Sequence, residues 1–288
     1  MPMPLRSRAL PIALLSVILC IGCATGPDPT TQAYIDDAHE AIGNSRFDEA
    51  KVMAELAVER NPHLRESREL LARIHRDLAM EATEKNHHGE AMKHWIKAAE
   101  YEPSRVQRAQ NYMNAVELGP WLNAPPAQIA ELATLAVEAD PSLIEARRQA
   151  ARHWDDAGET SHAIEHYQWL WSAYPDELQL GIRLGMLYLS ADRLGDASAV
   201  LAAVLSADPL NVQAAMNRAA ALEKMGARGE ARQVFEEILE QFPDNASILL
   251  RYSAFLERMG ETRRAANLRD RAHEHMPGVE RREMRRLR

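Results

Sequence analysis

The sequence predicts an all-α chain in which a pair of helices is repeated about seven times. Three observations lead to this prediction: a helix-favouring composition, prolines at regular intervals, and small residues at fixed distances from those prolines. Aromatic residues make up only 6% of the chain, whereas Ala, Leu, Glu and Arg, which favour helices, recur throughout. A length of 288 residues is long for one compact core but ordinary for a repeat array.

The prolines supply the period of the repeat. Seven of them close predicted helical runs, and the intervals between them are 41, 38, 34, 34, 34 and 34 residues. These prolines are Pro62, Pro103, Pro141, Pro175, Pro209, Pro243 and Pro277. Because proline disrupts a helix interior, its regular recurrence marks the end of each unit. We therefore predict an array over 31–277 whose repeats end near these seven residues.

Small residues recur at two places within the unit. If each proline is position 32, position 20 is alanine in six units, and position 8 is alanine, glycine or serine. Position 20 is Ala50, Ala91, Ala163, Ala197, Ala231 and Ala265, and position 8 is Ala38, Ala79, Ala151, Gly185, Ala219 and Ser253. Small side chains at these places let two helices approach closely. Gly158, Gly226 and Gly260 fall at position 15, where a left-handed residue suits the turn between helices.

This pattern resembles the tetratricopeptide repeat, a helix-turn-helix unit of 34 residues. Leu184-Gly185 followed by Tyr188 matches the Leu-Gly-x-x-Tyr pattern of that family. The resemblance covers 31–277 and is strongest over 144–277. It implies an α-solenoid of about fourteen helices that forms a right-handed superhelix.

Two units are longer than 34 residues. The second has seven extra residues, which is nearly two helical turns, so its first helix is expected to be longer. The third has four extra, and its proline-rich segment over 119–126 predicts an enlarged loop. Within this loop Trp121 is either an exposed functional side chain or, as we expect, part of a tucked cap.

The N-terminal segment 1–22 is predicted to be a bacterial lipoprotein signal peptide. Arg6 and Arg8 precede an apolar stretch that is too short to span a bilayer comfortably. The stretch ends at Gly22-Cys23, which resembles a lipobox, the motif in which a small residue precedes a lipidated cysteine. We therefore expect a lipid on Cys23.

The match to a lipobox has one departure. Cys20 stands where leucine is usual, so a plain secretory signal or an uncleaved anchor is the alternative. With lipidation, residues 23–30 form a polar tether between the membrane and the array. Ala24 after the lipidated cysteine implies, in that family, the outer membrane, with the protein facing the periplasm.

The charge and the cysteine positions limit the classes of partner. A net charge of −8 repels phosphate backbones, so nucleic acid is not an expected partner. Both cysteines lie at the N-terminus, which leaves the body without a disulfide or a cysteine-based metal site. The sequence has no phosphate-binding glycine loop or dinucleotide fingerprint, and we expect no cofactor, metal or small-molecule substrate.

The resemblance also implies a partner-binding groove. In this family the first helix of each repeat lines a concave face, and positions 2, 5, 6, 9, 12 and 13 look into it. In repeats four to seven these positions mix apolar residues with basic and amide groups, which suits an amphipathic peptide or helix. They include Arg148, Arg152, Ile182, Arg183, Met186, Leu189, Met216, Asn217, Ala220, Leu250, Arg251 and Ala254.

One known groove chemistry is expected to be absent. Family members that clamp a C-terminal carboxylate need Lys and Asn in one repeat, Asn in the next, and Lys and Arg in a third. The equivalent residues are Ile182, Met186, Asn217, Ser247 and Arg251, of which two match.

The strongest enzyme motif is a histidine pair on one predicted helix. His162-Ala163-Ile164-Glu165-His166 matches the His-x-x-Glu-His pattern of one group of zinc peptidases. By family register, however, this helix faces the convex side, where no cleft is expected and no third ligand is evident. A surface patch of His162, His166 and Trp169 is a further alternative, and a solvated face is the simplest.

Together these features predict a non-enzymatic scaffold that binds protein partners in the cell envelope. Its membrane contact would come from the N-terminal lipid. A pilotin or assembly factor for a pilus, secretion or outer-membrane machinery is one specific form of this prediction, and a zinc-dependent peptidase is the alternative of another class. The tail over 278–288 has five Arg against two Glu, and binding to anionic lipid or an acidic partner is a hypothesis for it.

Overall fold

The computed structural model describes residues 26–275, and this part of the chain consists of fourteen α-helices without a β-strand. No helix among these residues is long and apolar enough to cross a membrane. The helices are α1 (Pro29–Gly43), α2 (Phe47–Arg60), α3 (Arg65–Glu84), α4 (His88–Tyr101), α5 (Arg105–Leu118), α6 (Pro126–Ala139), α7 (Ile144–Asp156), α8 (Thr160–Ala173), α9 (Leu178–Ser190), α10 (Leu194–Ala207), α11 (Val212–Lys224), α12 (Arg228–Gln241), α13 (Ala246–Arg258) and α14 (Thr262–His275).

The helices form seven consecutive pairs, each packed against the next along the chain. We call the odd-numbered helices the A helices and the even-numbered ones the B helices. Contacts between elements join sequence neighbours and successive A helices, as in a solenoid. The predicted all-α solenoid of about seven helix pairs is therefore confirmed.

Small residues lie where the two helices of a pair meet. All six alanines at position 20 are fully buried, and so are the residues at position 8. The two helices approach closely at Gly185 in α9, where an added Cβ would lie 2.6 Å from Cγ of Leu201 in α10. These positions therefore set the distance between the helices of a pair.

The turn inside each pair contains one residue with left-handed backbone geometry. Gly158, Gly226 and Gly260 have φ of +76°, +80° and +82°, as predicted. In the other four turns the φ is also positive, although a side chain is present. Those residues are Ser45, Asn86, Asn123 and Asp192. The turn geometry is thus common to all seven pairs of the described region, whereas glycine is not.

The two longer repeats depart from the array in different ways. The predicted long helix of the second repeat is α3, with 20 residues. In the third repeat a 3-10 turn over Pro120–Leu122 joins α5 to α6. Trp121 in this turn is 71% exposed, although its ring packs at 5.3 Å between centroids against His88. The expected tucked cap is therefore wrong, because only one face of the indole is covered.

The hydrophobic core is divided along the array. One cluster joins α1, α2 and α3, a larger one runs from the end of α3 to α10, and another joins α11 to α14. A smaller cluster connects α9, α10 and α11 around Leu201 and Val204. Each helix pair is consequently stabilised by its neighbours rather than by one central core.

Candidate partner-binding site

The predicted groove residues lie on four A helices, α7, α9, α11 and α13. Two of them do not reach the surface: Ile182 is 2% and Met216 is 4% exposed, because each packs into the core between its own repeat and the next. Their predicted assignment to a partner surface is therefore wrong, since both side chains are buried. We call the remaining exposed and half-buried members of that set the A-helix face.

Arginines of the A-helix face form ion pairs across repeats. Arg148 donates two hydrogen bonds to the carboxylate of Glu177, at 2.8 and 2.6 Å. This contact lowers the pKa of the Glu177 carboxyl, mainly through the hydrogen bonds from Arg148. Arg183 in α9 pairs with Asp155 in α7. These arginines therefore join neighbouring repeats, and a partner that recruited them would have to compete with an internal carboxylate.

A third cross-repeat pair lies further along the same face. Arg258 donates two hydrogen bonds to Glu223, at 2.6 and 2.8 Å, and so links α13 to α11. Arg152 is exposed and lies 3.9 Å from Asp156 one turn away on α7. Both pairs are largely solvent-exposed, so each contributes at most about 1 kcal/mol to stability.

Two hydrogen-bond donors on this face have no partner within residues 26–275. Arg251 on α13 is exposed and forms no ion pair or hydrogen bond there. On the neighbouring helix α11, the side-chain Nδ2 of Asn217 is buried and finds no acceptor. A buried donor without an acceptor is costly, so a ligand that supplies one gains free energy there.

The A-helix face also contains apolar side chains, on α9, α11 and α13. Each of them is half-buried, so part of its surface remains accessible. They are Met186, Leu189, Ala220, Leu250 and Ala254. Apolar area with a few convergent donors suits an amphipathic segment that carries carboxylates.

The A helices of the first three repeats form a cleft that the sequence analysis missed. It has a volume of 470 Å³ and lies between α1, α3 and α5. On its wall Arg76 pairs with the buried carboxylate of Glu102 at 2.5 Å. Arg73 and Arg76 fall at positions 2 and 5 when the second repeat is counted back from Pro103. Counting repeat positions in the same way as for the groove of the later repeats would have identified residues of this cleft.

The histidine motif of α8 is arranged differently from a zinc site. His166 is 5% exposed, with its Nε2 atom 3.5 Å from Oγ1 of Thr134, so its assignment to a surface patch is wrong. His162 is exposed and stacks on Trp154, with 4.6 Å between ring centroids. Across residues 26–275 no three His, Cys, Asp or Glu side chains are grouped to hold a metal ion.

The third residue of that predicted patch is accessible. The ring of Trp169 is exposed, and the guanidinium of Arg147 lies 4.3 Å from its centroid. A cleft also exists beside α8, contrary to expectation, and it is lined by residues of α6, α7 and α8.

One segment of the array has a direct match in sequence to a known repeat. A family model described as the tetratricopeptide repeat matches residues 212–255, which cover α11, α12 and most of α13. Residues 212–255 are therefore a tetratricopeptide-repeat segment. No curated protein matches it in sequence.

Solved tetratricopeptide-like structures share the solenoid fold. MamA (residues 41 to the end) from Desulfovibrio magneticus RS-1 is 16% identical with a TM-score of 0.50, over 58% of this chain and 94% of that one. A second MamA structure, an RS-1 double mutant, has the same identity and TM-score and covers 93% of that chain. The structure of Naa15/Naa10 bound to HypK-THB is 13% identical with a TM-score of 0.54, over 83% of this chain and 36% of that one. At these identities the likeness establishes the fold alone.

Two predicted features of this protein lie outside the described residues. The signal peptide and Cys23 precede residue 26, and the basic tail over 278–288 follows residue 275. The structure therefore bears on the array, and the anchor and the tail stay predictions.

Proposed function

We propose that this protein is a non-enzymatic scaffold whose A-helix face binds an acidic, amphipathic segment of a protein partner. Tetratricopeptide arrays expose extended surfaces that suit such ligands. The observation that carries the proposal is Arg251, an exposed cation without an ion pair in the described residues. It lies on the A helix next to that of Asn217, whose Nδ2 donor is buried without an acceptor, and half-buried apolar side chains are on the same face. A carboxylate of the partner would accept hydrogen bonds from Arg251 while its apolar side chains cover Leu250 and Ala254.

The test reverses one charge that the array does not use internally. Arg251→Glu is preferable to changes at Arg148 or Arg183, because those arginines hold neighbouring repeats together. Arg228→Glu is the matched control, since Arg228 is exposed on a B helix and its side chain has no hydrogen bond or ion pair within the described array.

The measurement is crosslinking in cells, followed by mass spectrometry of proteins recovered with the tagged chain. We expect a small set of partners with the wild type and the Arg228→Glu variant, and their loss with Arg251→Glu. If Arg251→Glu recovers the same partners in the same amounts, the A-helix face at α11 and α13 is not the binding site.

We further propose that the scaffold works in the bacterial cell envelope, held at the outer membrane by a lipid on Cys23 and facing the periplasm. The support is the sequence Gly22-Cys23-Ala24 after a short apolar stretch. Metabolic labelling with a radioactive fatty acid would label the wild type, whereas a Cys23→Ala variant would carry no label. Label in that variant, or none in either protein, would refute the lipid anchor.

A pilotin or assembly factor is the specific form of this role, and the same crosslinking experiment addresses it. Recovery of a secretin or an outer-membrane assembly protein among the partners lost with Arg251→Glu would support it. Partners from other envelope pathways alone would exclude it.

A further inference from the structure

A second cleft lies between the B helices of the third and fourth repeats, away from the A-helix face. It has a volume of 480 Å³, and its lining includes Glu131 and Glu138 from α6, Trp154 from α7, and His166 from α8. We call it the α6–α8 cleft. Its volume falls in the range of sites that hold one small ligand or one long side chain.

The rim of the α6–α8 cleft is acidic, and its carboxylates form no ion pairs within the described residues. Glu131, Glu138 and Glu165 are exposed, and none of them forms a hydrogen bond or ion pair with another residue of the described array. Arg147 interacts electrostatically with Glu165, but its guanidinium lies over the Trp169 ring and forms no ion pair with that carboxylate in the described array. Three carboxylates around one opening favour a cationic ligand.

The floor of the cleft contains a chain of hydrogen bonds that ends at His166. Trp154 Nε1 donates to Thr134 Oγ1 at 3.0 Å, and the Thr134 hydroxyl donates to the carbonyl oxygen of Ala130 at 2.8 Å. Because the hydroxyl proton of Thr134 is used, its Oγ1 atom can act only as an acceptor toward Nε2 of His166, 3.5 Å away, and this contact favours the tautomer with the proton on Nε2.

This tautomer leaves the other ring nitrogen of His166 as an acceptor. Nδ1 is buried and has no hydrogen-bond partner in the described array. Burial, and then the positive charge of Arg147, lowers the pKa of His166, so the ring stays neutral at pH 7 and cannot satisfy the atom by binding a proton. The cleft therefore has a buried acceptor without a donor at His166 and a rim of carboxylates that form no ion pair in the described array.

We propose that the α6–α8 cleft binds an arginine or lysine side chain from a basic segment of a protein partner. The carboxylates of Glu131 and Glu138 match the positive charge, and the rings and alkyl groups of Trp154 and Leu135 cover the aliphatic stem. The N–H groups of such a side chain supply the donors that the cleft lacks. An anion is repelled by this rim, and the described residues hold no three-ligand group for a metal. The site is separate from the A-helix face and does not depend on it.

The probe is an acetylated and amidated peptide in which arginine alternates with alanine. The control peptide has citrulline in place of each arginine, which keeps the shape and removes the charge. Binding to the full-length protein is followed by tryptophan fluorescence, since Trp154 lines the cleft, and by calorimetry. We expect the arginine peptide to bind and the citrulline peptide to bind at least about tenfold more weakly.

Two variants locate the binding. Glu131→Gln with Glu138→Gln is expected to weaken the arginine peptide about tenfold, whereas Glu55→Gln with Glu230→Gln, exposed and remote, should leave it unchanged. His166→Leu removes the buried acceptor along with its unsatisfied atom, so it should weaken binding without lowering the melting temperature. The proposal is overturned if both double variants weaken binding of the arginine peptide equally, or if the citrulline peptide binds as tightly as the arginine peptide. It is also overturned if His166→Leu binds the arginine peptide as the wild type does.

A competition experiment distinguishes binding of a protein segment from binding of a free polyamine. Spermidine offers the same charge without a peptide backbone, and we expect it to compete only weakly with the arginine peptide. If spermidine binds more tightly than the peptide and is lost with Glu131→Gln and Glu138→Gln, the cleft is a polyamine site and the proposed partner segment is wrong.

Discussion

A buried histidine in the first half of the array should make the protein sensitive to mild acid. His75 on α3 is 5% exposed, and its Nδ1 atom lies 3.0 Å from Nδ1 of His94 on α4. Burial, together with the charges of His94, Lys51 and Lys97, lowers its pKa from 6.5 to about 4. The folded protein therefore keeps this ring neutral at a pH where the unfolded chain protonates it.

The sign and size of the effect follow from proton linkage. Since the unfolded chain binds the proton first, the free energy of unfolding falls as the pH drops below 6.5, and the loss from this group is complete below pH 4. For these two pKa values the loss between pH 8 and pH 4.5 is about 2.5 kcal/mol, which is a large part of the stability of a typical domain.

The assay is urea denaturation of the wild type and a His75→Leu variant at pH 8 and pH 4.5. Carboxylates titrate in both proteins, so the difference between the two pH dependences isolates His75. We expect the variant to lose about 2.5 kcal/mol less than the wild type on acidification. His63→Leu is the control, because His63 is exposed and unpaired in the described array, and it should behave as the wild type does. Equal losses in the wild type and His75→Leu would refute the reasoning.

Three further predictions concern the packing and the turns of the array. Gly185→Ala should lower the free energy of unfolding by about 1–2 kcal/mol in urea denaturation. The Cβ of the new alanine would clash with Leu201, and the gain in helix propensity offsets only part of this cost. If the free energy of unfolding does not fall, α10 moves freely enough to accommodate the added Cβ. Asp192→Gly should raise the melting temperature, because φ there is +57° and glycine relieves about 1 kcal/mol of strain, while Gly226→Ala, at +80°, should lower it. Arg258→Ala should change the free energy of unfolding by less than about 1 kcal/mol in the same denaturation assay, because its pair with Glu223 is exposed, and a larger loss would show that this pair holds α11 and α13 together.

The repeat and its helices could be predicted from the sequence because the signals are local. A proline that ends a unit and a small residue between two helices act on their own segment, and the 34-residue spacing makes them visible. The glycine turns at Gly158, Gly226 and Gly260 were found in this way. The equivalent turns at Ser45 and Asp192 were not, because those side chains tolerate left-handed geometry at a cost that the rest of the repeat offsets.

The site was harder to predict because its contacts cross repeats. Register places Ile182 and Met216 on the inner side of an A helix, but whether that side is covered depends on how closely the next repeat packs. The Arg148–Glu177 pair joins residues 29 positions apart, beyond the reach of rules for one helix. His166 is covered by α6 through Thr134, which lies 32 residues earlier in the chain.

The division of the hydrophobic core into separate clusters affects how local unfolding spreads through the molecule. Because the cluster over α1 to α3 shares no central core with the one over α11 to α14, a defect at one end should melt its own helix pairs before it reaches the other. Unfolding would then proceed as fraying from an end, with hydrogen exchange fastest in the terminal repeats. A protein that unfolds in this way can release a ligand bound at one end while a ligand at the other end stays bound.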